Sequence, residues 1–374
     1  MAGYLVLAEL IARWNGFYRQ AHEAAIQAHL PALDGLRGFL ALAVFFHHAV
    51  ISYFAYRTGT WAPPPSHFYA LLGPVAVAFF FMITGFLFWS KAIRAGGRVQ
   101  PLRLYTNRVR RLAPLYLFSV VGVLMVGAYL SGGDTHLSLW HSFTGLVRVL
   151  ALGGLRWWPL FGMELGRINA SVTWTLRYEW LFYLALPLVA LLATPRRFVL
   201  AAVLAVGLAW FEFPWIYFLG GAAAAHLAQW PAAQRWARRR RLTPLYLAPL
   251  AALFVLPPGP NWLTPCLLWP AFLAIALGND LLGLLRTRGA MCLGTVSYST
   301  YLMHGIVLFC GLKLVNHACG IEGWSAGSYW LLCGVLGVVV VLLSCATYRW
   351  IEHPFLVRKA AAPAAAAMAG AGAV

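Results

Sequence analysis

Arg37 and His48 are the first residues of this 374-residue chain whose types and spacing could do chemistry. They are eleven residues apart in an apolar segment, close to three helical turns, so one helix face carries both about 16 Å apart. An imidazole in a wet cavity can take a proton from a hydroxyl near neutral pH, and a guanidinium can hold a phosphate or carboxylate through paired N–H bonds. Asp34, three residues before Arg37, can pair with it. A snorkelling arginine and a core histidine bonded to a backbone carbonyl would look the same, and the register leaves both readings open. Arg108 and Arg111 stand at i and i+3, a spacing suited to a polyphosphate or to the lipid headgroups of one leaflet. In the stretch from Trp174, Thr175, Glu179 and Tyr183 share a face at four-residue steps, and Ser297, Tyr301 and His304 form a similar stripe. Interhelical hydrogen bonding accounts for Thr175 and Ser297. For Glu179 and His304 the expectation is function, because an ionisable group in a bilayer is costly unless paired or hydrated. Glu352, beside Arg349 and Pro354, is expected in a structural ion pair.

The elements that must hold these residues are set by composition. With 61% hydrophobic and 10% charged residues, the chain is not a set of soluble domains. The apolar runs are continuous, not alternating, which indicates an all-α polytopic membrane protein. Ten spans are expected, near 34–54, 70–90, 112–130, 173–193, 198–213, 214–230, 244–257, 262–280, 294–313 and 328–349, with both termini cytoplasmic. The net charge of +18 then has a topological meaning. All basic residues but Arg57, Arg148, Arg156, Arg167, Arg177 and Lys313, that is 22 of 28, fall on the assigned inner side, as the positive-inside rule requires, and nucleic acid is not an expected partner. Residues 1–30 read as a cytoplasmic or interfacial helix with Leu7, Leu10, Ile11, Trp14 and Phe17 on its apolar face. Residues 31–357 read as the membrane domain and 358–374 as a disordered Ala-rich tail. The outer segment 131–171, with Trp140, Trp157 and Trp158, reads as an acceptor lid or as part of the interfacial aromatic belt. The six cysteines lack metal-ligand spacing, so no metal is expected.

Several motifs resemble those of the acyltransferase-3 family of bacterial membrane acyltransferases. Leu33-Asp34-Gly35-Leu36-Arg37-Gly38 followed by His48 is similar to its first-span signature. Phe80 to Phe86 resembles Phe-Phe-x-x-Ser-Gly-Phe, with Thr84 in the Ser position. Arg108 to Arg111 resembles its Arg-x-x-Arg, Trp174 to Tyr183 its Trp-Ser-Leu-x-x-Glu-x-x-Phe-Tyr, Ser297 to His304 its Ser-Tyr-Ser-x-Tyr-Leu-x-His, and Tyr348 to Pro354 its closing motif, with His353 where Arg is common. The resemblance runs from about Leu33 to Phe355. It implies transfer of an acyl group, most simply acetyl, from cytoplasmic acetyl-CoA or another acyl-CoA to a hydroxyl of an envelope or secreted carbohydrate or lipid-linked glycan, in the bacterial inner membrane. On that reading Arg37, Arg108 and Arg111 hold CoA phosphates, and His48 is the general base. Glu179 or His304 approaches from the outer half to orient it or the acceptor, and Tyr183, Trp174 and Tyr301 contact substrate. An acyl-histidine route stays open, as does the acceptor. A transporter or flippase of lipid-linked glycans is the alternative from another class.

Overall fold

The computed structural model describes residues 1–27, 30–132, 139–155, 164–209, 214–257 and 262–357, and among them every regular element is helical. In chain order these are α1 (Ala2–Trp14), α2 (Gly16–Gln27), α3 (Pro31–Thr58), α4 (His67–Arg94), α5 (Pro101–Leu130), α6 (Leu139–Leu150), α7 (Trp174–Val189), α8 (Pro195–Ala209), α9 (Trp215–Leu227), α10 (Pro231–Ala237), α11 (Thr243–Val255), α12 (Leu263–Ala276), α13 (Arg288–Thr295), α14 (Ser297–Cys319) and α15 (Ala326–Thr347). Six helices among the described residues are long and apolar enough to cross a bilayer: Pro31–Thr58, His67–Arg94, Pro101–Leu130, Trp174–Leu192, Ser297–Cys319 and Ala326–Val357. The other four expected spans fall on α8, α9, α11 and α12, with 15, 13, 13 and 14 residues. About 20 residues are needed to cross a bilayer, and the described lengths of these helices fall short of that. Pro214 stands at the start of α9, whereas Pro249 and Pro270 lie inside α11 and α12 without ending them.

The N-terminal stretch is two helices rather than one, separated at Asn15, which is extended (φ −96°, ψ 115°). Its buried face is Tyr4, Ala8 and Ala12, whereas Leu10 and Trp14 are exposed. Tyr4 and Tyr18 donate hydrogen bonds to the α15 carbonyls of Cys333 and Cys345, so this unit is docked onto the bundle. The Ala-rich tail, Trp157 and Trp158 lie outside the described residues, and Trp140 belongs to α6.

Three local features aim the site residues. At Gly38 an added Cβ would sit 2.6 Å from the Leu293 Cβ and 2.7 Å from the Gly294 nitrogen, so α3 and α13 meet backbone to backbone. The chain then bends at Val296, and Ser297 opens α14 against α3 and α5. Residues 165–173 leave helical geometry. A 3₁₀ turn (Leu165–Arg167) is followed by Ala170 and Ser171 at φ 55° and 56°. Such backbone is tolerated at membrane depth only where protein buries it. Here Ile168, Asn169 and Val172 are buried, and Gly305 of α14 supplies the space, since a Cβ there would lie 2.3 Å from the Asn169 carbonyl carbon. Finally, α15 runs into a π turn, Tyr348–Glu352, whose wider winding turns Glu352 into the bundle, 2% exposed.

Candidate active site

α3 carries two cavities, one near each end. The cavity at the Arg37 end, of about 280 Å³, is lined by Arg37, Lys91, Arg108 and Arg111, with Glu179 as the only carboxylate among its described lining residues. Four cations against one acid favour an anionic occupant. The Arg108 guanidinium lies 4.9 Å from the Phe88 ring centre and 5.7 Å from that of Tyr183. Its Nε and the Ser297 Oγ are buried and have no hydrogen-bond partner among the described residues. Buried donors without partners cost roughly 1–3 kcal/mol each, so oxygens brought by a ligand would suit both. Arg37 and Arg111 are already engaged: Arg37 Nη1 lies 3.7 Å from Asp34 Oδ1, and Arg111 Nη1 3.6 Å from Glu352 Oε2. Ser299 donates to the other oxygen of Glu352. Glu352 therefore pairs across the bundle with Arg111. Glu179 accepts from Tyr183 at 3.0 Å and from Thr84 at 3.5 Å.

The cavity at the other end, of about 210 Å³, includes His48, Ser52, Tyr56, Trp61, Arg167 and Phe309 in its lining. His48 stacks nearly parallel to Trp61, with ring centres 6.4 Å apart. Behind it stands His304, fully buried. The protons follow from the partners. His304 Nδ1 is 3.1 Å from the Thr300 carbonyl, which can only accept, so Nδ1 carries a hydrogen and Nε2 a lone pair. That Nε2 is 3.0 Å from His48 Nδ1, which also lies 3.1 Å from the Val44 carbonyl. His48 Nδ1 must then be the donor, leaving Nε2 of His48 as a basic lone pair toward the cavity.

The residues singled out from sequence fall into two groups. Arg37, Arg108, Arg111, Glu179, Tyr183 and Tyr301 line the arginine cavity, and His48, backed by His304, lines the histidine cavity. Glu179 does not approach His48. It lines the arginine cavity with Arg37, Arg108 and Arg111 and does not line the histidine cavity. Trp174 is half exposed at the start of α7 and lines neither cavity. The acyltransferase domain profile matches residues 30–349. The chain belongs to the acyltransferase-3 family. Among curated relatives, acyltransferase MdmB of Streptomyces mycarofaciens is 29% identical over 381 aligned residues, covering 87% of this chain and 91% of that one. No solved structure matches. The protein is thus a multi-helix membrane acyltransferase of the acyltransferase-3 family, and both cavities lie within the matched region.

For this acyltransferase-3 chain, sequence reasoning missed the rest of the histidine cavity. Ser52 and Tyr56 follow His48 at steps of four and could have been read as a stripe. Trp61 and Arg167 could not, because a loop and an irregular turn deliver them.

Proposed function

We propose that the protein is an O-acyltransferase of the bacterial inner membrane that moves an acyl group, most simply acetyl, from cytoplasmic acyl-CoA to a hydroxyl of an envelope or secreted carbohydrate. The observation that carries this reading is the separation of chemistries along α3: a cationic cavity with unmatched donors at one end, and a histidine base in its own cavity at the other. Both termini and the Arg37 end lie in the cytoplasm, and the four short helices complete ten passes with the six long ones. Residues 31–357 form the catalytic membrane domain, and 1–30 a cytoplasmic element docked on it. Acyl-CoA enters the arginine cavity. A cavity of about 280 Å³ is at the small end of ligand sites, which run to roughly 1,000 Å³. It encloses the pantetheine end and leaves the nucleotide at the mouth, with the unpartnered Nε of Arg108 offered to CoA oxygens and Arg37 and Arg111 held by their acids. Glu179 works on this donor side, fixing Tyr183 and Thr84.

The acceptor enters the histidine cavity. His48 Nε2 takes the proton of its hydroxyl, the oxygen attacks the thioester carbonyl, and the C–S bond breaks with the electron pair leaving on CoA sulfur. The proton passes to that sulfur, giving CoA thiol and the O-acyl ester. His304 positions His48 by accepting its Nδ1 hydrogen, the role a carboxylate takes in a triad. Membranes carrying His48→Ala should release CoA thiol at least about a hundredfold more slowly than parental membranes and show no acylated glycan by mass spectrometry. Parental rates would refute the base assignment. Cavities reaching toward both ends also suit a carrier, and thermal stabilisation by the free glycan but not by acetyl-CoA would favour that second reading.

A further inference from the structure

The two cavities are separate, and on the reading above the acyl group starts in one and is taken by a hydroxyl held in the other. Tyr301 stands between them. Its ring lines the arginine cavity, packs edge to face on Phe80 with centres 5.9 Å apart, and lies 6.2 Å from the ring of His304, which holds the base. The hydroxyl is tied on its far side to Thr175 Oγ1 at 3.0 Å and to the Val172 carbonyl at 3.1 Å. Those two partners belong to the start of α7 and to the irregular segment that also places Ala170 in the wall of the histidine cavity. The wall there has little give, because Gly305 packs against that segment with no room for a methyl group. Phe80 and Tyr301 are therefore the side chains that an acyl group meets at the wall of the arginine cavity that faces His304.

We propose that Phe80 and Tyr301 form the wall of the arginine cavity that sets the length of acyl group the protein transfers, with Tyr301 the main determinant. This rests on the acyl-CoA reading and specifies its donor. A short tail fits in the arginine cavity beneath the two rings. Each further methylene must displace a ring that is held by hydrogen bonds or by packing. Exclusion of one methylene by a close-fitting pocket is worth roughly 10–200-fold in kcat/KM.

The test uses membranes with their native acceptor from a strain that makes the whole chain, and measures CoA thiol release with acetyl-, butyryl- and hexanoyl-CoA. Wild type should prefer acetyl-CoA. Tyr301→Ala should raise the hexanoyl-to-acetyl ratio of kcat/KM at least tenfold, and Phe80→Ala should raise it in the same direction. Tyr301→Phe keeps the ring, and its ratio should stay within about twofold of wild type. An unchanged ratio in the two alanine variants would overturn the proposal. So would inactivity of both with every donor, which would assign the pair to folding or chemistry. If wild type consumes no acyl-CoA at all, the reaction itself is misread, and the proposal falls with it.

Discussion

His48 has two ring nitrogens, and its partners give them different work. A lone His48 bonded only to the Val44 carbonyl would have the same tautomer but a ring free to rotate about its side-chain bonds. The lone pair of His304, anchored through Nδ1 to Thr300, holds the ring in place. His304→Ala should therefore lower kcat by about 10²–10³ with little change in the KM for acyl-CoA. His304→Gln, whose amide oxygen can accept the same hydrogen, should restore part of it, and steady-state CoA release distinguishes the two. Both histidines were legible from their positions in apolar segments. That His304 approaches His48 was an implication of the family resemblance and not of spacing, since 256 residues separate them and the packing of α3 on α14 brings them together. Glu179 lines the arginine cavity instead: a helical stripe gives a residue's face, not which of two cavities that face meets.

At the scale of elements, the π turn after α15 delivers an acid to the arginines. Glu352 is buried against Arg111 and Ser299, and removing one partner of a buried pair costs about 3–5 kcal/mol because the other charge is left unmatched. Glu352→Leu should lower the melting temperature of the detergent-solubilised protein by several degrees. Adding Arg111→Met should recover most of that loss without restoring acyl-CoA affinity, a separation that a ligand-binding melt series would check. The apolar segments were legible because each is a continuous run, and six of them fall on helices of spanning length among the described residues. Their lengths were less so, since internal prolines and the bend at Val296 are tolerated or not according to tertiary packing. The segment 165–173 left no signal in the sequence. Its left-handed Ala170 and Ser171 are stable only because Gly305 opens a space on α14.

Across the whole molecule, charge and cavity positions agree with one orientation. Arg239, in the basic run after α10, belongs with the Arg37 end, and Cys319, exposed at the close of α14, with the His48 end. A membrane-impermeant maleimide should label Cys319 in intact spheroplasts, whereas Arg239→Cys, in a chain with Cys266 and Cys319 replaced by Ser, should be labelled only after permeabilisation. The opposite pattern would invert the topology. Charge bias is what suggests this orientation from the sequence, whereas the division of the interior into two cavities depends on how α3, α4, α7 and α14 close around Tyr301. That division also has an electrical consequence. If water fills both cavities, most of the membrane potential falls across the layer of Phe80, Tyr301 and His304 rather than across the full thickness of the bilayer. A charge crossing it gains or loses about 2.3 kcal/mol per 100 mV. In the proposed mechanism the proton that His48 removes from the acceptor stands at the edge of that field, so the route it takes to the thiolate sulfur determines whether each turnover moves charge across the membrane.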